Sequence, residues 1–420
     1  MAPTSLSFRT FRLSTGGLFR CLVAGLVVAA IGWGGFTHAA NQSVQGAKKP
    51  EELAFDGDAP TAILIEATSG SVLFEKNADE LRAPSSMMKL MTAEVVFHAI
   101  TEGTVKLTDE YRISENAWRR GGAPSGTSTM FAAINSKVSV DDLLHGAIIP
   151  SGNDACIALA EGIAGNESMF ANDYMTKRAR ELGLTKSTFG NSNGLPNPVN
   201  KMTVRELSML ARHIILDYPE FYKLFGEKEF TWNKIRQQNR NPLLNSLPGA
   251  DGLKTGYTKE GGYGMVGSAV QNGIRLIVVV NGLEDPDDRA SEAKKMLEWG
   301  YRNFETRILF AADQTLGYAR VFGGESRSVK LTSPKPVKVM VSKQGNDKLL
   351  ARVVYHGPGR APITAGQQVG VVRVWRGGNV AMEQPVYAAE AIGVGSTVRR
   401  ALDGAQELVI GMFRAGAARL

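Results

Sequence analysis

The chain has 420 residues, 48 Lys and Arg against 41 Asp and Glu, a net charge of +7 and 43% hydrophobic residues. That length supports a large core divided over two or three domains. The positive excess is too mild for a nucleic-acid-binding surface, and two cysteines (Cys21 and Cys156) make no disulfide framework.

In chain order, residues 1–39 contain no Asp or Glu, and Arg9, Arg12 and Arg20 precede the apolar run Cys21–Trp33. With the small residues of Thr37-His38-Ala39 this reads as a secretory signal cut after Ala39 or nearby. The alternative is a retained membrane anchor, for which the run is short. Without it the charge falls to about +4, suited to work beside anionic lipid and polymer. Cys156 is then the only cysteine, and its setting in Ala155–Leu159 suggests a buried, inert core thiol.

Residues 40–58 form a polar leader. Strands are expected at 61–67 and 71–76 around the turn Thr68-Ser69-Gly70, then a helix entry at Ala83-Pro84-Ser85 and a buried central helix from Met88 to Ile100. Residues 105–235 read as mostly helical, with helices over Val140–Ile149 and Asp154–Ala164 joined at a sharp corner. Lys254 falls on or near a strand. Gln271-Asn272-Gly273 separates two apolar runs, a hairpin signal, and a helix over 288–305 closes the unit. Strands on both sides of a helical block predict one sheet built from both ends. After about 308 the short runs Val337–Val341, Leu349–Tyr355, Gln368–Trp375 and Val380–Tyr387 predict a small all-β module. In Ser396–Leu420, Val398, Leu402, Ala405, Leu408, Val409, Met412 and Phe413 share one helical stripe. This stretch is too polar to span a bilayer and suits a helix lying at a lipid surface. The domain reading is therefore 1–39, 40–307, 308–395 and 396–420.

Three strings carry chemistry: Ser86-Met87-Met88-Lys89, Ser151-Gly152-Asn153 and Lys254-Thr255-Gly256. A serine hydroxyl is a weak nucleophile until a neighbouring base takes its proton. Three residues apart on a helix, Ser86 and Lys89 share a face, with Ser86 expected in the first turn. A lysine is a base only when neutral, which burial or a second cation such as Lys254 promotes. Two similar strings do not fit the order. Ser291-Glu292-Ala293-Lys294 follows Lys254 and reads as a solvated helix face, and Ser114-Glu115-Asn116 lacks a helix corner. The five histidines show no metal spacing, and none lies near the motifs to build a Ser-His-Asp triad.

The ordered triple resembles the penicillin-recognising serine enzymes, and within them the low-molecular-weight penicillin-binding proteins that act as D-alanyl-D-alanine carboxypeptidases. Ala83-Pro84-Ser85-Ser86, Phe189–Leu195 and Asp251-Gly252-Leu253-Lys254-Thr255-Gly256 extend the match. The resemblance implies an α+β fold: a β-lactamase/transpeptidase-like antiparallel sheet with helices and a helical subdomain, the site between them, and a small all-β domain after it. It implies acylation of Ser86 by the penultimate D-alanine of a peptidoglycan stem peptide, and by β-lactams. Lys89 would be the base and Ser151 a proton relay. Asn153 would bind the substrate amide. Lys254, Thr255 and Arg289 would meet the terminal carboxylate, with Gly256 allowing close backbone approach. The Ser86 and Tyr257 N–H groups would hold the oxyanion. Tyr257 stands where the family usually has histidine. The resemblance further implies a periplasmic protein attached peripherally to the inner membrane through its C-terminal helix, with no cofactor or metal. A β-lactamase, a D,D-endopeptidase of the same fold and a non-catalytic penicillin-binding scaffold remain as alternatives. For the β-lactamase, Glu181 is the nearest candidate deacylation base.

Overall fold

The computed structural model describes residues 55–345, 347–376 and 379–405. The expected signal at 1–39 and the end of the expected C-terminal helix lie outside the described residues.

β1 (Thr61–Glu66) and β2 (Val72–Lys76) form the opening hairpin. The chain then passes through a 3₁₀ turn (Ser85–Met88) into α1 (Lys89–Thr101). The inserted block holds β3 (Glu110–Arg112), α2 (Glu115–Gly121), β4 (Lys137–Ser139), α3 (Val140–Ile148), α4 (Asn153–Ala164), α5 (Glu167–Met169) and α6 (Thr176–Glu181). It continues through α7 (Val204–Asp217), α8 (Pro219–Tyr222), the hairpin of β5 (Glu229–Trp232) and β6 (Ile235–Gln238), and α9 (Leu243–Ser246). The chain returns to the sheet with β7 (Ala250–Thr258), β8 (Gly262–Gln271) and β9 (Ile274–Leu283), then α10 (Pro286–Asn303). The sheet order is β2-β1-β9-β8-β7, antiparallel throughout. Strands from both ends of the domain thus complete one sheet, as the sequence predicts. Asn272 and Gly273 both have positive φ, as a two-residue hairpin turn requires.

Period-2 patterning divides the core. Ile63 and Ile65 of β1 and Ile277 and Val279 of β9 face the cluster around α1. Leu64, Leu276, Val278 and Val280 face Met296 and Leu297 of α10 on the opposite side. A sheet covered on both faces needs such continuous apolar strands. α1 is buried from Lys89 to Phe97. Its buried Glu94 is answered by Arg178 Nε at 2.8 Å and His213 Nε2 at 3.2 Å, a structural role for His213. The Ser114 string is a helix cap: its Oγ accepts from Ala117 N at 2.9 Å at the head of α2. In the other competing string, Ser291 and Lys294 sit on α10, and Lys294 reaches only Glu298 at 3.9 Å.

The second module begins at Phe304, directly after α10, rather than at about 308. Its strands are β10 (Phe304–Phe310), β11 (Gly317–Phe322), β12 (Ser328–Thr332), β13 (Val337–Ser342), β14 (Leu349–Tyr355), β15 (Gly359–Arg360), β16 (Gln368–Arg376) and β17 (Asn379–Ala388). Six form a sheet in the order β14-β16-β17-β12-β11-β15, and β10 pairs with β13. Val329, Leu331, Val339, Val374 and Val386 are among its own core. The two modules are bolted together: Arg376 donates to Val72 O at 2.6 Å, and Met340 N donates to Ser71 Oγ at 3.3 Å. Residues 397–405 are helical, with Val398 and Leu402 exposed by 71% and 62%. Among the described residues, no helix is long and apolar enough to cross a membrane.

Candidate active site

Ser86 sits on the 3₁₀ turn that precedes α1, not in the expected first turn of the helix, and Lys89 is the first residue of α1. In a 3₁₀ turn, side chains at i and i+3 eclipse, so the spacing brings the two groups together directly. Lys89 Nζ lies 2.9 Å from Ser86 Oγ, 2.7 Å from Asn153 Oδ1 and 2.5 Å from Asn193 O. Ser86 is partly exposed, whereas Lys89 is buried behind it.

This coordination fixes what the amine can do. A neutral amine has two N–H groups and one lone pair. The carbonyl oxygens of Asn153 and Asn193 can only accept, so they consume both N–H groups. In a neutral amine the lone pair would be left for the Ser86 hydroxyl, 2.9 Å away. Among the described residues no carboxylate bonds Nζ directly, although the charges of Asp154 and Glu167 favour the ammonium. Burial, reinforced by the charge of Arg240, lowers Lys89 from its ordinary value to about 8.

The Ser151-Gly152-Asn153 string forms the corner between α3 and α4. Ser151 holds a positive φ of 67°, a strained conformation for a non-glycine residue. Its Oγ is buried with no hydrogen-bond partner among the described residues. Asn153 is oriented from both ends: Nδ2 donates to Thr127 Oγ1 at 2.9 Å, which turns Oδ1 toward Lys89. Buried Asp154 pins the loop beneath, accepting from Thr129 Oγ1 at 2.6 Å and Met130 N at 2.9 Å.

Lys254, Thr255, Gly256 and Tyr257 lie on β7, the outer strand of the sheet next to the Ser86 turn. A Cβ on Gly256 would come within 3.0 Å of Met87 N and 3.1 Å of Pro84 O. The missing side chain therefore lets β7 lie directly against the turn that carries Ser86. Lys254 is fully buried, and among the described residues its Nζ finds only the Thr255 carbonyl, at 3.1 Å. Burial, then the charges of Lys89 and Arg240, push it well below the ordinary lysine range. Arg289 of α10 reaches Gly256 O at 3.5 Å and stacks over Tyr263, 5.5 Å from the ring centroid, while its Nε has no partner. Tyr257 is 52% exposed and stacks on Tyr263 at 4.1 Å.

Thus Ser86, Lys89 and Asn153 are in direct contact, Lys254 lies within electrostatic range of Lys89, and Gly256 abuts the turn that carries Ser86. Arg289 joins the group through β7. Sequence reasoning missed Arg240, a solvent-exposed cation between β6 and α9 whose charge acts on Lys89, Lys254 and Arg289. Its setting, Asn239-Arg240-Asn241, carries no motif. Nor was Asn193 singled out as a partner of Lys89, because its backbone carbonyl, not its side chain, makes the bond. Arg240 and Arg289 form no ion pair with a described carboxylate, so their positive charge beside Lys254 is uncompensated. Glu181 is engaged by Arg178 at 3.1 Å on the far end of α6. His145 stacks on Phe230, a packing role. Cys156 is buried and raised to about 11 by that burial. Among the described residues, no group of His, Cys, Asp and Glu is arranged to hold a metal.

Comparison with known proteins bears on this geometry. A family model described as D-alanyl-D-alanine carboxypeptidase matches residues 44–284, and one described as penicillin-binding protein 5, C-terminal domain, matches 304–393. D-alanyl-D-alanine carboxypeptidase DacC of Escherichia coli is 40% identical over 349 residues, 82% of this chain and 87% of that protein. The crystal structure of penicillin-binding protein 5 from Haemophilus influenzae has a TM-score of 0.70 at 36% identity, over 83% of this chain and all of the other. Penicillin-binding protein D2 from Listeria monocytogenes, in its cefotaxime-bound form, has a TM-score of 0.54 at 28% identity, over 59% of this chain and 99% of its own.

Proposed function

The chain belongs to the D-alanyl-D-alanine carboxypeptidase family, a serine D-Ala-D-Ala carboxypeptidase of penicillin-binding fold, and from that premise we propose how its residues divide the reaction. Ser86 is the nucleophile. Lys89, as the neutral amine, takes the hydroxyl proton while Ser86 Oγ bonds to the carbonyl carbon of the penultimate D-alanine. The backbone N–H groups of Ser86 and Tyr257 stabilise the oxyanion. The C–N bond then breaks, and the proton held by Lys89 passes through Ser151 to the leaving amine of the terminal D-alanine. Water hydrolyses the ester, freeing Ser86 and a shortened stem peptide. Penicillins acylate Ser86 by the same first step.

Lys254, Thr255, Arg240 and Arg289 receive the terminal carboxylate. A bound carboxylate gives Lys254 the counter-charge it lacks and favours its ammonium. That charge in turn favours neutral Lys89, so substrate binding primes the base. Asn153 shares its carbonyl with Lys89 and its neighbourhood with the substrate amide. The observation that carries this reading is the position of Lys89 Nζ, 2.9 Å from Ser86 Oγ with its other two neighbours both carbonyl oxygens.

The residues before about 40 act as an export signal, which puts the enzyme beside peptidoglycan in the periplasm. The stretch 396–420 attaches it to the inner-membrane surface, a reading supported by the exposed Val398 and Leu402. The module after α10 spaces the catalytic domain from that surface. Intact-protein mass spectrometry after incubation with penicillin, beside release of D-alanine from a D-alanyl-D-alanine peptide, tests the core of the scheme. An adduct on the peptide bearing Ser86, and loss of both activities in Ser86→Ala, are expected. D-alanine release surviving Ser86→Ala would overturn it.

A further inference from the structure

A base that relies on a backbone carbonyl needs that carbonyl held still. The Asn193 carbonyl belongs to the loop 191–195, which has no helix or strand of its own. One buried carboxylate grips it. Glu167, 8% exposed at the start of α5, accepts at Oε1 from Ser192 N at 3.1 Å, Ser192 Oγ at 2.8 Å and Asn193 Nδ2 at 3.1 Å. Its Oε2 is tied to Arg120 of α2 at 3.0 Å. From the α1 side, Thr92 Oγ1 donates to Ser192 O at 2.5 Å. Ser192 is thus held at its N–H by Glu167 and at its carbonyl by Thr92, and Asn193 is held by its side chain as well. Its carbonyl accepts from Lys89 Nζ at 2.5 Å.

We propose that Glu167 is a positioning residue for the catalytic base: it anchors the 191–195 loop so that the Asn193 carbonyl takes one N–H of Lys89 and aims the lone pair at Ser86. The anchor suits a carboxylate, since one acceptor oxygen must serve three donors while the other meets an arginine. Glu167 never touches substrate; it acts through two hydrogen-bond steps. This inference rests on the reading of Lys89 as the base.

Glu167 also acts through its charge. The charged or titratable groups that face Lys89 are Arg240, Lys254 of β7, Asp154 and Cys156 of α4, and Glu167 itself. Arg240 favours the neutral amine, and Asp154 and Glu167 favour the ammonium. Removing the Glu167 charge therefore shifts Lys89 toward the neutral form at a given pH.

The test measures the second-order acylation rate by a chromogenic cephalosporin and D-alanine release from a D-alanyl-D-alanine peptide, from pH 5.5 to 9.5. Glu167→Gln keeps an acceptor oxygen for the loop and removes the charge. Its rate at high pH should stay within about threefold of wild type, with the acidic limb moved to lower pH. Glu167→Ala releases the loop as well and should lower acylation at every pH by roughly 10- to 100-fold, in kcat more than KM. Thermal melts of both variants separate misfolding from misplacement. If Glu167→Ala does not fold, Glu167→Gln decides alone. A limb and rate identical to wild type in the folded variants would reduce Glu167 to a packing residue and overturn the inference. Lys89→Gln separates the two readings. If it is inactive while the Glu167 variants are unmoved, only this inference fails; if it acylates normally, the base assignment fails and this falls with it.

Discussion

The state of Lys89 makes acylation strongly pH-dependent in a way that can be worked out from its surroundings. The perturbation is acid. With burial and Arg240 lowering Lys89 to about 8, about half of the free enzyme carries a neutral base at pH 8. Two units lower, the fraction falls to about 1%, because each unit below the midpoint costs a factor of ten. The second-order rate of acylation should therefore drop about 50-fold from pH 8 to pH 6 and level off above pH 9. Stopped-flow trapping of the acyl-enzyme with a chromogenic β-lactam reads this step without interference from deacylation. Lys89→Met should lose roughly 10²- to 10⁴-fold at pH 8, the range for removal of a general base, and should lose the limb with it. A wild-type profile flat between pH 6 and pH 9, or an unchanged limb in Lys89→Met, would refute the assignment of the proton acceptor.

Arg240→Gln removes a cation that favours the neutral form of both lysines, so its acylation limb should move to higher pH, and KM for the D-alanyl-D-alanine peptide should rise severalfold; unchanged values for both would remove Arg240 from the site. Gly194 has φ of +80°, and a Cβ there would sit 2.0 Å from Ser85 O. Gly194→Ala should therefore distort the turn carrying Ser86, costing about 3 kcal/mol and lowering Tm by roughly 5–10 °C, with acylation falling alongside; a melt within a degree of wild type would contradict the clash. Cys156, buried and raised to about 11, should resist iodoacetamide at pH 8 in the folded protein and react once denatured, as peptide mass mapping would show.

The meeting of the three motifs was legible because the serine, lysine and asparagine side chains that converge have types and spacings constrained by the chemistry expected of them. The opening hairpin, the corner at Ser151 and the Asn272-Gly273 turn were legible because each depends on local turn chemistry or on apolar periodicity. Arg240 and Glu167 were not. Each acts through a position that only tertiary folding creates, and an arginine between two asparagines, or a glutamate beginning a three-residue helix, looks like surface in one dimension. The Asn193 carbonyl was invisible for a simpler reason: every residue has one. In the second module, the strands that bury alternating valines announced themselves. β11 and β12, short and broken by Gly323, Gly324 and the serines at 326 and 328, did not. The start of that module was placed late because β10 follows α10 without any intervening linker, so no change of texture marks the boundary.

The catalytic sheet has two outer strands, and the molecule treats them in opposite ways. At β2 the guanidinium of Arg376 reaches across from the neighbouring module to occupy the Val72 carbonyl, a cap against unwanted strand pairing. At β7 the rim beside Ser86 is left without a further strand. Cutting the chain after α10 would unmask Val72 and give the shortened enzyme a second sticky margin. A rise in self-association of the shortened enzyme over the two-module protein would then report on architecture rather than on catalysis.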